Sequence, residues 1–337
     1  MTEIDKIVKE GLNKVYPGAV LLVGNLDGEV LYKKSYGFRA LKPSIEKNSE
    51  DTVYDLASLT KVVATTTSIM LLLSEKMISL WDYVSNYING FERGITIFHL
   101  LTHTSGLPPY SDVWKHSKDR ENILNSILKE KPVYKPGSKI VYSCLNFIIL
   151  MIIVEKITKK NFKEFCDENI FKPFKLNKTS FLPSYKRIIA PTTERDGKIL
   201  RGEPDDELAY YIGGVSGNAG LFSDAQDLFK FIVTLWKGKI IPKKVFEEFI
   251  STEVKKEGNR RFLGWDASLP DKSCGDRVSV KAFGHDGFTG TSLWVDPEKE
   301  IVVIFLTNRT HIERRKTIKD MKQIRISLHN AIFSHFQ

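Results

Sequence analysis

Strand patterns lie at the two ends of this chain, and helical patterns fill the middle. Ala19-Val20-Leu21-Leu22-Val23 is an unbroken apolar run, and Asn25-Leu26-Asp27-Gly28 carries the Asp-Gly signal of a tight hairpin. Residues 29–38 read as the return strand. Far downstream, residues 262–265, 278–285, 291–295 and 301–306 read as strands, the last two joined by a turn over 296–300. Successive strands with short turns pair antiparallel. The pattern therefore predicts an α+β fold: one antiparallel sheet built from both termini and flanked by helices. An opening helix spans 3–15 and a closing helix starts near Thr317. Residues 1–75 and 256–337 form this sheet domain, and 76–255 form a mostly helical inserted domain.

Composition removes several functional classes. The net charge is +9, yet lysines and arginines are spread over the whole chain. Short clusters such as Lys243-Lys244 and Arg314-Arg315-Lys316 do not alternate with aromatics, so nucleic-acid binding is not expected. The three cysteines, Cys144, Cys166 and Cys274, are odd in number and lack metal-ligand spacing. Free thiols in a reducing, cytoplasmic setting are expected. The charged first ten residues hold no secretion core, and the apolar run 147–154 is too short to span a bilayer. No membrane partner, metal or cofactor is expected. His99 and His103 stand four apart, but no acidic partner accompanies them and Gly106 and Pro108 follow, so a hydrogen-bonded turn is the better account. The glycine-rich stretch 213–220 follows no strand of a βαβ unit and is not a dinucleotide loop. It is expected to open onto a helix at 223–236.

Chemistry concentrates in three segments. Ser58-Leu59-Thr60-Lys61 places a serine three residues before a lysine, on one face of an expected helix start. A hydroxyl becomes a nucleophile when a base takes its proton, and a lysine whose pKa is lowered by burial or a nearby cation can do so. Tyr142-Ser143-Cys144 precedes an apolar helix at 147–157. His285-Asp286-Gly287 ends a strand.

In this order the segments resemble those of the serine β-lactamase and penicillin-binding-protein superfamily, and its class C-like, esterase-like branch in particular. Pro17-Gly18-Ala19-Val20 is similar to the family's opening, residues 99–107 to its helical-domain signature, Gly220-Leu221-Phe222-Ser223 to its later helix, and Leu263-Gly264-Trp265 to its returning strand. The resemblance spans nearly the whole chain. It implies a β-lactamase/transpeptidase-like fold with the active site between the two domains. It implies that Ser58 forms an acyl-enzyme, that Lys61 and Tyr142 share the base role, and that the backbone N–H groups of Ser58 and Phe288 form the oxyanion hole. Gly287 would let the strand approach the substrate. His285 takes the place of the family's strand lysine, to orient Tyr142 or meet a substrate carboxylate.

Cys144 stands where the family commonly has Asn or Asp. A thiol holds a lysine or a substrate amide poorly. The expected activity is therefore that of a serine hydrolase on small carboxylic esters, with weak β-lactam hydrolysis. The alternatives are a β-lactamase or D-amino-acid peptidase acting on peptidoglycan-derived peptides, and a penicillin-binding sensor that acylates without turnover. Oligomeric state is left open.

Overall fold

A computed structural model describes residues 2–270, 272–311 and 314–336. Its centre is a nine-stranded antiparallel sheet. The strands are β1 (Gly18–Asn25), β2 (Val30–Ala40), β3 (Glu46–Lys47), β4 (Val254–Lys256), β5 (Asn259–Arg261), β6 (Asp266–Ala267), β7 (Phe283–Asp286), β8 (Ser292–Asp296) and β9 (Ile301–Thr307). Their order is β3-β2-β1-β9-β8-β7-β6-β5-β4, so the two ends of the chain meet where β1 pairs with β9. There Leu21 faces Phe305 and Val23 faces Val303.

The apolar runs are continuous because both sheet faces are covered. Val20, Leu22, Val302, Ile304 and Leu306 join the large core, whereas Ala19, Leu21, Val23, Val303 and Phe305 face a second core with Ile4, Val8, Leu328 and Ile332. That second core lies under α1 (Thr2–Glu10) and the closing helix, Ile318–His335. The hairpin and both long terminal strands fall where the apolar pattern puts them.

Several local expectations change. Residues 262–265 are not a strand but the corner between β5 and β6. Phe262, Leu263 and Trp265 are buried there by neighbouring helices, which makes the stretch as apolar as a strand. Gly264 has φ +80°, and a Cβ on it would sit 2.2 Å from Thr66 Oγ1, so only glycine fits this corner. Of 278–285 only the end pairs. Ser279 instead donates its N–H and hydroxyl to the Asp296 carboxylate at 2.6 and 2.7 Å, and Val280 is exposed. The opening helix stops at Glu10, and the helix near His99 is one short segment, Ile97–Leu101. The glycine-rich stretch leads into a strand, Leu221–Ser223, which pairs with both Tyr54–Asp55 and Ser180–Phe181. The helix after it starts at Ala225, capped by Asp224 accepting from Asp227 N–H at 2.8 Å.

Candidate active site

The Ser58 turn is held from several sides. Ala57 has φ +46°, a left-handed value that costs a residue with a Cβ. Its N–H donates to Asp55 Oδ1 at 2.9 Å, and Asp55 Oδ2 accepts from Asp205 N–H at 2.7 Å. Thr289 and Thr291, beyond β7, donate their hydroxyls to the carbonyls of Asp55 and Leu56 at 2.7 and 3.0 Å. Ser58 lies in this turn, one residue before the helix, rather than in its first turn. The helix starts at Leu59 and runs through a π segment, Lys61–Thr66, into α2 (Thr67–Ser74).

Lys61 is fully buried. Its ammonium donates to Ser58 Oγ at 3.0 Å and to the Asn218 carbonyl at 2.8 Å, with Cys144 Sγ at 3.6 Å. The glycine-rich stretch thus supplies an anchor for the lysine. Gly217 makes that approach possible: a Cβ there would meet the Phe147 carbonyl at 2.0 Å. Tyr142 donates its hydroxyl to Ser58 Oγ at 2.8 Å. It precedes α3 (Cys144–Thr158), whose apolar stretch 147–154 is buried throughout.

His103 backs Tyr142, with ring centroids 4.6 Å apart. Its Nδ1 accepts from Ser143 N–H at 3.0 Å and lies 3.2 Å from Asn146 Nδ2. An accepting Nδ1 leaves the ring proton on Nε2. Burial, with Arg261 and Lys61 adding to it, holds the His103 pKa well below the usual value. His99 instead closes the capping box of its own helix. No group of three or more metal-ligating side chains occurs among the described residues.

The opposite wall is the segment after β7. Gly287 is obligatory: a Cβ on it would stand 2.0 Å from Thr291 Oγ1 and 2.5 Å from the Leu56 carbonyl. Two buried arginines fasten this wall. Arg325 Nη2 donates to the Gly287 and Thr291 carbonyls at 3.0 and 2.6 Å, and Arg309 Nε donates to the Phe288 carbonyl at 3.1 Å. The N–H groups of Ser58 and Phe288 find no acceptor among the described residues. His285 is buried, and its Nδ1 lies 2.8 Å from the Asp286 carbonyl. A carbonyl only accepts, so Nδ1 carries the proton. Burial, then Lys61 and Arg261 against the pull of Asp266, lower the His285 pKa to about 4. The ring is neutral at pH 7 and its Nε2 is an acceptor, so it is not poised to meet a carboxylate. No hydrogen bond joins it to Tyr142, whose ring centroid is 6.0 Å away.

The proton inventory also departs from expectation. Burial disfavours the Lys61 ammonium, but Cys144 and Tyr142, once they lose their own protons, favour it more, and its pKa lies above the ordinary lysine value rather than below. Burial raises the Tyr142 phenol, and Lys61 reverses only part of that rise. Burial likewise raises the Cys144 thiol. At rest the site holds an ammonium, a phenol and a thiol.

These groups border a cleft of about 910 Å³. Ser58, Tyr142, Cys144, His285, Gly287 and Phe288 line it, and Lys61 lies beneath. Phe288 is partly exposed, with its ring under the Arg309 and Arg314 guanidiniums at 4.7 and 5.2 Å. Tyr110, Trp114, Asp206 and Glu207 line it as well. Sequence reasoning missed Asp55, His103, Asn218 and Arg261. Asn218 sits in the glycine-rich stretch and His103 in the segment 99–107, so their neighbourhoods were marked without their roles.

A serine bonded to both a buried lysine and a tyrosine, in a cleft that Gly287 and Phe288 also line, defines a serine hydrolase of the β-lactamase and penicillin-binding-protein superfamily. The chain belongs to the Beta-lactamase family, which matches residues 4–325. The N-acetylmuramyl-L-alanine amidase of Bacillus subtilis (strain 168) is 30% identical, over 92% of this chain and 81% of its own length. A protein of Escherichia coli (strain K12) named after D-alanyl-D-alanine carboxypeptidase is also 30% identical, over 92% of this chain and 82% of its own length. Among solved structures, the hydrolase EstCE1, described as having promiscuous acyltransferase activity, superposes with a TM-score of 0.76 at 19% identity, covering 97% of this chain and 98% of its own. An octameric penicillin-binding protein homologue from Pyrococcus abyssi gives a TM-score of 0.75 at 23% identity, covering 92% and 73%. At such identities these two structures bear on the fold alone. No helix among the described residues is long and apolar enough to cross a membrane.

Proposed function

We propose that the protein hydrolyses small carboxylic esters through an acyl-enzyme on Ser58, in a cleft between the domain built on the nine-stranded sheet and a mostly helical insertion. The observation that carries the reading is the contact of Ser58 Oγ with both Lys61 Nζ at 3.0 Å and Tyr142 Oη at 2.8 Å. The Lys61–Tyr142 pair must first lose one proton, and that loss belongs to the pair rather than to either residue. Ser58 Oγ then attacks the ester carbonyl while its proton passes to the pair. The oxyanion is received by the Ser58 and Phe288 N–H groups. The C–O bond breaks, the alcohol leaves with the proton, and the acyl group stays on Ser58. Water repeats the sequence and frees the acid.

Cys144 supports esters over amides. Its Sγ occupies the place beside Lys61, at 3.6 Å, where an amide side chain would bond both the lysine and a substrate amide. A second reading, cleavage of amide bonds in peptidoglycan-derived peptides, is favoured by the names of the amidase and carboxypeptidase relatives. The test offers purified protein and Ser58→Ala a short-chain p-nitrophenyl ester, a chromogenic cephalosporin and a peptide ending in D-alanyl-D-alanine. Ester turnover lost in the variant is expected. Ester turnover that survives Ser58→Ala refutes the mechanism. Faster release of D-alanine than of p-nitrophenol selects the second reading. A lasting cephalosporin adduct on Ser58 without turnover of any substrate would instead mark a sensor.

A further inference from the structure

Tyr142 can take the Ser58 proton at moderate pH only if positive charge surrounds it, because a phenol otherwise ionises near 10. Lys61 is one such charge, 5.0 Å from the ring centroid. The strand position that holds lysine in the resembled family holds His285 here, and His285 is neutral. A second cation nevertheless reaches the ring. The Arg261 guanidinium lies 5.2 Å from the Tyr142 centroid. It arrives from β5, outside all three recognised segments.

We propose that Arg261 is the second cation that promotes ionisation of Tyr142, replacing the charge that β7 does not supply. The inference rests on the reading of Tyr142 as part of the base. Arg261 is held for this task. Its Nη2 lies 2.7 Å from Asp266 Oδ1, and its side chain is only 9% exposed. Its Nη1 is buried without a hydrogen-bond partner among the described residues. A buried N–H left unpaired is unfavourable, so the position calls for a compensating role. Arg261 also lines the cleft, so the KM readout below separates action on the phenol ring from action on substrate. It is a positioning and electrostatic residue that acts through Tyr142.

The surroundings of Tyr142 leave few competitors for this role. The ring is faced by Ser58, Lys61, Cys144, His103, His285 and Arg261, with Asp266 behind Arg261. Cys144 and both histidines are uncharged at pH 7 for the reasons given above. Burial opposes a charged Asp266, but Arg261 overcomes it and keeps the carboxylate. Lys61 and Arg261 are therefore the cations; Asp266 is the acidic group that tempers Arg261, and Asp206, bonded to Asn218, is the acidic group on the Lys61 side. A cation over a phenol gains modestly from the ring, whereas over a phenolate it gains full charge attraction, so Arg261 favours the ionised form.

The experiment is the pH profile of kcat/KM for p-nitrophenyl acetate, measured on the full chain. Wild type, Arg261→Gln, Arg261→Lys and Asp266→Asn are compared, with Tyr142→Phe as reference. Arg261→Gln should move the acid limb up by about one unit, the low end for an opposite charge at this range because Asp266 already offsets part of it. Arg261→Lys should recover part of the shift. Asp266→Asn, which removes the tempering anion, should move the limb down. An unmoved limb in Arg261→Gln, or an upward shift in Asp266→Asn, overturns the proposal. A raised KM with no limb shift overturns it too, and assigns Arg261 to substrate binding. If Arg261→Gln does not fold, the direction seen with Asp266→Asn decides. Full activity in Tyr142→Phe would refute the underlying base assignment, a result separate from any of these.

Discussion

Gly287→Ala tests whether the oxyanion hole is assembled by close backbone approach. The new Cβ would meet the Leu56 carbonyl at 2.5 Å and Thr291 Oγ1 at 2.0 Å, where ordinary contact begins at 3.4 Å. The threonine could turn away, but its hydroxyl is the donor to Leu56 O at 3.0 Å, so turning breaks a bond that ties the two walls. The carbonyl is backbone and must itself retreat, by about 0.9 Å, the difference between 3.4 and 2.5 Å. That displacement separates Phe288 N–H from Ser58. Loss of one oxyanion donor lowers kcat by about 10²–10³-fold, and a misplacement near 1 Å costs about 10²-fold. We therefore expect kcat for a p-nitrophenyl ester to fall by about 10²-fold or more in Gly287→Ala, with the larger effect on kcat than on KM. Adding Thr291→Ala should not restore it, because the carbonyl clash remains. The assay needs steady-state kinetics beside a thermal melt that verifies folding. A folded Gly287→Ala enzyme within about threefold of wild type would refute the placement of Phe288 N–H opposite Ser58.

Asp55 offers a stability test. Burial, and then Asp205, push its pKa from 3.8 to about 7. A folded-state value above the unfolded one means that its contribution is fully present below about pH 4 and is lost as pH rises through about 7. A shift of this size corresponds to on the order of 4 kcal/mol across that window. The drop in Tm between pH 5 and pH 8 should shrink in Asp55→Asn, and an equal drop in both proteins would refute the assignment. Cys144→Asn should raise the ratio of amide to ester kcat/KM by about 3- to 10-fold, the effect of one neutral hydrogen bond. An unchanged ratio, measured with a p-nitroanilide and a p-nitrophenyl ester of the same acid, would remove Cys144 from the choice of substrate.

Much of the fold was readable because its signals are local. The run Ala19-Val20-Leu21-Leu22-Val23 and the hairpin at Asp27-Gly28 carry their own periodicity and turn chemistry. Residues 262–265 misled because burial alone does not distinguish a strand from a corner. The left-handed Gly264 against Thr66 became meaningful only once the helix it touches was in place. Arg261 escaped notice for a similar reason. It lies 119 positions from Tyr142 in sequence, and a single arginine beside a strand carries no local mark of a partner that distant.

By itself the sequence determined which chemical groups were available and roughly where. A serine three residues from a lysine, a tyrosine before an apolar helix and a His-Asp-Gly at a strand end were all legible from spacing and chain order. Tertiary structure decided what those groups are at pH 7. Lys61 keeps its proton although buried, its ammonium donating to the Asn218 carbonyl, which another segment brings to it. His285 stays neutral because it is buried beside Lys61 and Arg261. A pKa is set by the charges and solvent within a few ångströms, and in this fold those neighbours come from distant parts of the chain.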